Sequence, residues 1–162
     1  MTAYVHFMKS PVGTLALVDE EGALRVVTFD NMWPFFKKKF AALEEKETAL
    51  HKKTRKQLSE YFSGKRTAFD LPLKLSGTPF QNGVWSALAR IPFGQTRTYK
   101  QQALAVKSPN AVRAVGRTNG LNPICIILPC HRVVGSDGSL TGFAGGLKTK
   151  EFLLKHEGAL LS

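Results

Sequence analysis

Thr98-Tyr99-Lys100-Gln101-Gln102-Ala103-Leu104-Ala105-Val106-Lys107-Ser108-Pro109-Asn110-Ala111-Val112-Arg113-Ala114-Val115-Gly116-Arg117-Thr118 is the stretch that decides the fold. Tyr99 to Val106 reads as a short helix. Ser108-Pro109 reads as a turn, because a residue before proline is pushed out of the helical region. Asn110 to Thr118 reads as a second short helix. Helix, tight turn, helix is the shape of a helix-turn-helix, although two short helices also occur in many unrelated folds. Upstream, Thr78-Pro79 caps a further helix in which Val84, Trp85, Leu88 and Ile91 fall at helical spacing, and Pro92 and Gly94 stop it. Downstream, the apolar run Ile124–Leu128 leads into Pro129-Cys130-His131-Arg132. A glycine-rich loop from Gly135 to Gly146 and an amphipathic helix from Lys148 to His156 follow.

The N-terminal half is different in kind. Tyr4–Met8, Thr14–Val18 and Leu24–Phe29 read as three strands, separated by the Pro11/Gly13 turn and the acidic turn Asp19-Glu20-Glu21-Gly22. Residues 32–63 are expected to be helical, with a clear segment Thr54–Phe62 ended by Gly64. Asp70-Leu71-Pro72-Leu73 is expected to be extended, and a lobe boundary is expected near Ser76-Gly77. The division is therefore 1–76 and 77–162.

At 162 residues, 43% hydrophobic and 22% charged, the chain can bury roughly two-thirds of its unfolded surface without a disulfide or metal staple. That composition excludes disorder, collagen, coiled coil and a membrane-embedded chain, and no apolar run is long enough to cross a bilayer. The opening MTAYVHFMKSPVG does not read as a signal peptide, so a reducing, cytoplasmic setting is expected for the two cysteines. Lys+Arg 23 against Asp+Glu 12 leaves +11, a field that favours nucleic acid first among polyanions. Between Gly77 and Leu147 the sole acid is Asp137, against Arg90, Arg97, Lys100, Lys107, Arg113, Arg117 and Arg132. Spaced cations on an acid-poor stretch suit a phosphate-facing surface. The denser Lys37–Lys39 and Lys52–Lys56 runs sit among glutamates and read as a solvated face.

Cys130 and His131 carry the chemistry. A thiol becomes a useful nucleophile as its thiolate, which a nearby imidazole or cation favours. Neighbours on an extended chain point to opposite sides, so His131 reaches Cys130 only at a turn or through a water; Pro129 makes such a bend plausible. Glu157 or another carboxylate would orient the imidazole. The competing reading is an inert buried cysteine, the usual fate of a free thiol. If Cys125 to Cys130 is extended, the two lie about 15 Å apart, beyond disulfide reach, and Cys125 becomes a core or pocket-wall residue. The histidines at 6, 51, 131 and 156 complete no zinc pattern, and no phosphate-loop, dinucleotide or zinc-protease motif is present. No metal and no cofactor are expected.

Pro129-Cys130-His131-Arg132-Val133 resembles the active-site signature of the O6-alkylguanine-DNA alkyltransferases (methylated-DNA–protein-cysteine methyltransferases). The order of features from Thr78 to Leu160 is similar as well. Thr98–Ala103 resembles the family's first DNA-contacting helix, and Ala111–Gly116 its recognition helix. Asn122-Pro123 leads into the signature, Thr141-Gly142-Phe143-Ala144-Gly145-Gly146 resembles the pocket loop, and Lys155-His156-Glu157-Gly158 the terminal helix. The TGFAGG form of the loop resembles the constitutive bacterial members.

The resemblance implies a small N-terminal α/β lobe with an antiparallel sheet, and a C-terminal winged-helix-like helical lobe that holds the helix-turn-helix. It implies irreversible transfer of an alkyl group from O6 of guanine, in flipped-out double-stranded DNA, to Cys130 of a monomeric protein entering the minor groove. O4-alkylthymine is a further substrate the family resemblance leaves open. His131 would take the thiol proton through a water, Glu157 would orient His131, and Asn122 would brace the active-site turn. Tyr99 would rotate the 3′ phosphate and protonate the leaving base toward N3. Arg113 would fill the space the base vacates, a task that suits a planar cation. Lys100, Ser108, Ala111, Arg117 and Ser136 would complete the DNA-facing set. The Val133 and Cys130 carbonyls would receive the exocyclic amine, Phe143 would stack on the base, and the Ala144 N–H would face O6. Three positions depart from the family pattern: Phe143 where many relatives carry tyrosine, Arg117 where a small residue is common, and Cys125 where some carry proline. The rival readings are a non-catalytic sensor of alkylated DNA, against which Cys130 argues, and a winged-helix regulator, which would need no PCHRV motif.

Overall fold

The computed structural model describes residues 1–160; residues 161–162 of the lobe expected over 77–162 lie outside the described residues. The chain divides into two compact units, one of residues 1–75 with 123–127, the other of residues 76–122 with 128–162. Pro123–Ile127 thus belongs with the N-terminal unit, although by sequence position it falls in the second half.

The N-terminal unit is built on strands β1 (Ala3–Ser10), β2 (Gly13–Glu20) and β3 (Ala23–Phe29), paired antiparallel. Each is longer than its apolar run suggested, because backbone pairing carries the strand into the turns. Strand β4 (Leu43–Glu45) adds to the outer edge of β1 in parallel, giving the order β3-β2-β1-β4. The sheet is therefore mixed rather than wholly antiparallel. The helix expected over 32–63 is interrupted for the same reason: α1 is only Trp33–Lys37, β4 intervenes, and α2 runs Ala49–Phe62. A free sheet edge offers unpaired backbone groups to residues 43–45, which outweighs local helix preference. Ala3, Val5, Ala16, Val18, Val26 and Phe36 form one buried cluster, with Trp33 and Phe40 packed against it.

His51 ties α2 to the sheet. Its Nδ1 accepts from the Thr48 backbone N–H at 3.0 Å. That fixes the hydrogen on Nε2, which faces the Leu17 carbonyl at 3.0 Å and the Tyr4 carbonyl at 3.1 Å. Thr48 in turn caps α2 and donates to Asp19 Oδ2 at 2.7 Å. The expected extension at Asp70–Leu73 is present, with Leu73 bridged to Leu24 and Lys74 N–H bonded to the Leu24 carbonyl at 2.9 Å.

The second unit opens with α3 (Pro79–Leu88), capped by Thr78 with proline in its first turn. Helices α4 (Tyr99–Ala105) and α5 (Val112–Gly120) form the helix-turn-helix. Val84, Ala103 and Val115 close its core, with Val106 and Val112 packed against them. Two polar contacts lock the three helices together: Trp85 Nε1 donates to the Thr118 carbonyl at 2.7 Å, and Gln102 Nε2 to the Val84 carbonyl at 3.1 Å. Strand β5 (Arg97–Thr98) pairs in parallel with β6 (Val133–Val134), and α6 (Leu147–His156) ends the described fold. Because β5 runs into Tyr99 and β6 follows Cys130–Arg132, this small ladder brings the start of α4 beside the active-site signature.

Burial holds the His51 imidazole below its ordinary value of 6.5, against the opposing pull of Asp19. The unfolded chain therefore binds the proton more readily than the folded one, and this contribution to stability is full above pH 6.5 and lost as pH falls toward the folded value. His51→Ala should cost about 2 kcal/mol by stranding two carbonyls and opening a void, and should flatten part of the acid decline of the urea-unfolding midpoint.

Candidate active site

The apolar run ahead of the signature is not extended. Cys125 to Ile127 closes a tight turn, with the Ile127 N–H on the Cys125 carbonyl at 2.8 Å and Ile126 at φ 72°. A β-branched residue in this left-handed region is strained. Pro129, at φ −81° and ψ 69°, sits in a second tight turn that bonds the Cys130 N–H to the Leu128 carbonyl at 2.8 Å. Cys130–Arg132 then forms one turn of 3-10 helix. Asn122 closes the base of this excursion, donating through Nδ2 to the Leu128 carbonyl at 2.7 Å. Both cysteines are buried thiols outside any disulfide.

His131, Arg132 and Glu157 make a buried triad below Cys130. Arg132 grips the Glu157 carboxylate with two prongs, Nε to Oε1 at 2.7 Å and Nη2 to Oε2 at 3.0 Å. Its remaining Nη1 donates to the Ile91 carbonyl at 2.6 Å, and the guanidinium lies 5.8 Å from the centre of the Phe93 ring. His131 Nε2 is 2.8 Å from Glu157 Oε2. A carboxylate engaged by arginine accepts only, so Nε2 carries the hydrogen and Nδ1 keeps its lone pair. Nδ1 has no hydrogen-bond partner among the described residues. Burial holds the imidazole below its ordinary value, although Glu157 pulls the other way. The His131–Glu157 contact is accordingly a neutral N–H donating to a carboxylate, and the Nδ1 lone pair of His131 is available at neutral pH. Arg132, counted among the phosphate-facing cations from the sequence, is instead internal: it neutralises Glu157.

Lys150 is the second buried cation. It is fully buried on α6, with Nζ on the Val133 carbonyl at 2.6 Å and the Thr141 carbonyl at 3.0 Å. Desolvation lowers its pKa to about 8, and attraction to the Cys130 thiolate works against that fall. Helical periodicity gave no sign of it, because a lysine on an amphipathic helix is normally solvated. Tyr99 lies beside it, the ammonium 5.7 Å from the ring centre, and the phenol donates to the Thr141 carbonyl at 3.1 Å. Gly142 borders that hydroxyl at φ 57°, a left-handed conformation that favours glycine. Asn119, also missed in the sequence, donates from Nδ2 to the Cys130 carbonyl at 3.3 Å.

Of the expected DNA-facing residues, Lys100, Arg113, Arg117 and Ser136 are exposed, and Tyr99, Ser108 and Ala111 are half-buried. Val133, the last residue of the signature, is buried, while Phe143 and Ala144 are half-buried on the 135–146 loop. Among the described residues no helix is long and apolar enough to cross a membrane, and no three His, Cys, Asp or Glu side chains group as metal ligands would.

A helix-turn-helix joined to a buried cysteine, histidine and glutamate is the arrangement expected of a nucleic-acid-binding protein that carries a reactive thiol. Residues 79–159 match the family model for the 6-O-methylguanine DNA methyltransferase DNA-binding domain, and residues 3–75 that for its ribonuclease-like domain. The chain belongs to the 6-O-methylguanine DNA methyltransferase family. It is 47% identical to a methylated-DNA–protein-cysteine methyltransferase of Methanosarcina barkeri, over 95% of this chain and 96% of that one. It is 44% identical to the constitutive methylated-DNA–protein-cysteine methyltransferase of Bacillus subtilis, over 95% and 94%. Mycobacterium tuberculosis OGT, solved in complex with DNA, superposes with a TM-score of 0.86 at 38% identity, covering 98% of this chain and 94% of that one.

Glu157→Gln removes the charge that compensates Arg132. Leaving a buried guanidinium unpaired should cost about 3–5 kcal/mol, read as a loss of unfolding free energy in urea at pH 7.

Proposed function

We infer that the chain is a DNA repair protein that transfers an alkyl group from O6 of guanine in double-stranded DNA to the sulfur of Cys130, once per molecule. The observation that carries this reading is the buried His131, held neutral with its Nδ1 lone pair available, next in sequence to Cys130 and anchored by Glu157. That arrangement is what a thiol needs to become a nucleophile.

The target carbon lies inside a base stack, so the nucleotide must first be turned out, at a cost of roughly a few kcal/mol. Arg113, exposed on α5, would occupy the vacated space, with Lys100, Ser108, Ala111, Arg117 and Ser136 toward the phosphates. His131 Nδ1 takes the Cys130 proton through a water, and the Lys150 ammonium supports the thiolate by charge. The sulfur forms its bond to the alkyl carbon as the carbon–O6 bond breaks, and that electron pair passes to the purine. Tyr99 gives a proton to the departing guanine, and the proton that His131 received balances the one Tyr99 lost. The S–C thioether has no leaving pathway, so the protein is consumed. Phe143 stacks on the base, the Ala144 N–H faces O6, and the Val133 and Cys130 carbonyls receive the exocyclic amine. The helical unit does this work, in a reducing, cytoplasmic compartment and as a monomer.

Peptide mass spectrometry after mixing with a duplex bearing one O6-methylguanine should show a single methyl on the Cys130 peptide and unmodified guanine in the DNA. Cys130→Ala should gain no methyl yet still bind the duplex. Because burial keeps His131 below 6.5, the single-turnover rate should hold its plateau as pH falls through 6.5 and decline only at more acid pH. A decline centred above 6.5 would remove His131 as the base.

A further inference from the structure

Asn119 is fully enclosed near the C-terminal end of α5 and carries a buried acceptor that folding leaves unused. Only 1% of the residue is exposed, and its Oδ1 has no hydrogen-bond partner. The orientation of the amide is nonetheless fixed: Nδ2 meets the Cys130 carbonyl at 3.3 Å, and the flipped amide would set oxygen against oxygen. For folding alone, leucine would fill the same space without stranding a polar atom. The amide holds the backbone of the nucleophile, and it stands one helical turn past Gly116, against which the ring of the proton donor lies.

We propose that Asn119 is a positioning residue for alkyl transfer, which acts through Tyr99 while it holds the Cys130 carbonyl. This rests on the alkyltransferase reading above. The Tyr99 phenol is half-buried and donates to the Thr141 carbonyl, and its ring lies against α5 at Gly116, where an added Cβ would meet it at 3.7 Å, one helical turn before Asn119. Burial raises its pKa, the thiolate of Cys130 raises it further, and the Thr141 and Asn119 contacts work against both. When the phenol passes its proton to the departing guanine, negative charge develops on its oxygen beside a thiolate already consumed in the S–C bond. The second N–H of Asn119 Nδ2 is a neutral donor that can meet this charge, and the bond of the first to the Cys130 carbonyl keeps the amide in place with Oδ1 turned away. Lys150 serves the Val133 and Thr141 carbonyls with the same nitrogen.

The test compares two reactions of the same thiol in the full-length protein. Transfer from an O6-methylguanine duplex needs a proton on the leaving base, whereas alkylation of Cys130 by iodoacetamide expels iodide and needs none. Asn119→Leu, with Asn119→Ala as the smaller alternative, should lower the single-turnover rate of methyl transfer about 10-fold, a fraction of what general acid catalysis is worth. The iodoacetamide rate, read at the Cys130 peptide, should stay within about twofold of wild type, which also reports that the variant is folded. In a Tyr99→Phe background the same substitution should cause no further loss of transfer, because residues that act through one another are non-additive. Losses that multiply in the double variant would overturn the inference, as would an unchanged transfer rate or a parallel fall with iodoacetamide. A wild-type protein that gains no methyl on Cys130 would instead overturn the alkyltransferase reading itself, and is seen before any variant is compared.

Discussion

The two-pronged bond between Arg132 and Glu157 is the contact on which the catalytic unit depends. A lone carboxylate enclosed here would take up a proton, because charge is costly away from water. With Arg132 fixed across both oxygens, Glu157 stays an acceptor. Everything about His131 follows from that. Its hydrogen is assigned to Nε2, its lone pair is turned to Nδ1, and desolvation keeps the ring neutral. The same arginine also reaches back to the Ile91 carbonyl just beyond α3, so the charge pair joins the end of α6 to the signature turn and to the helical core.

Around this anchor the backbone is bent rather than regular. Ile126 at positive φ and Pro129 in its tight turn bring the chain into the 3-10 turn that presents Cys130. Such conformations persist only where the surroundings over-determine them. Here Asn122 holds the Leu128 carbonyl, Asn119 the Cys130 carbonyl and Lys150 the Val133 carbonyl. Three polar side chains thus fix three carbonyls at or next to the signature. Burying them costs more than apolar packing would, and what they secure is the position of a single thiol.

The electrostatics separate into an outer and an inner set. Lys100, Arg113 and Arg117 are exposed on the helix-turn-helix, where their charges act on a polyanion over the range of the Debye length. Arg132 and Lys150 are enclosed, and their charges act over a few ångströms on Glu157 and on the Cys130 thiolate. A count of basic residues treats the two sets alike, although only the exposed set would give a DNA affinity that falls as salt rises. In the proposed reaction the inner set would act on the chemistry.

Local chemistry in the sequence was enough for α3, α4, α5 and α6, because caps, proline positions and apolar spacing act within one or two turns. The same holds for the three antiparallel strands, and the PCHRV motif identified the nucleophile and its neighbour. Glu157 was legible as a candidate partner, 26 positions from His131, but its distance and its charge state were not. Strand β4 escaped because its pairing partner, β1, is some forty residues away, and a three-residue edge strand has no periodicity of its own. Arg132, Lys150 and Asn119 escaped for a related reason. Whether a polar side chain faces water or a buried carbonyl depends on which distant segment folds over it, and only the tertiary structure, by bringing α5, α6 and the signature turn together, decided that.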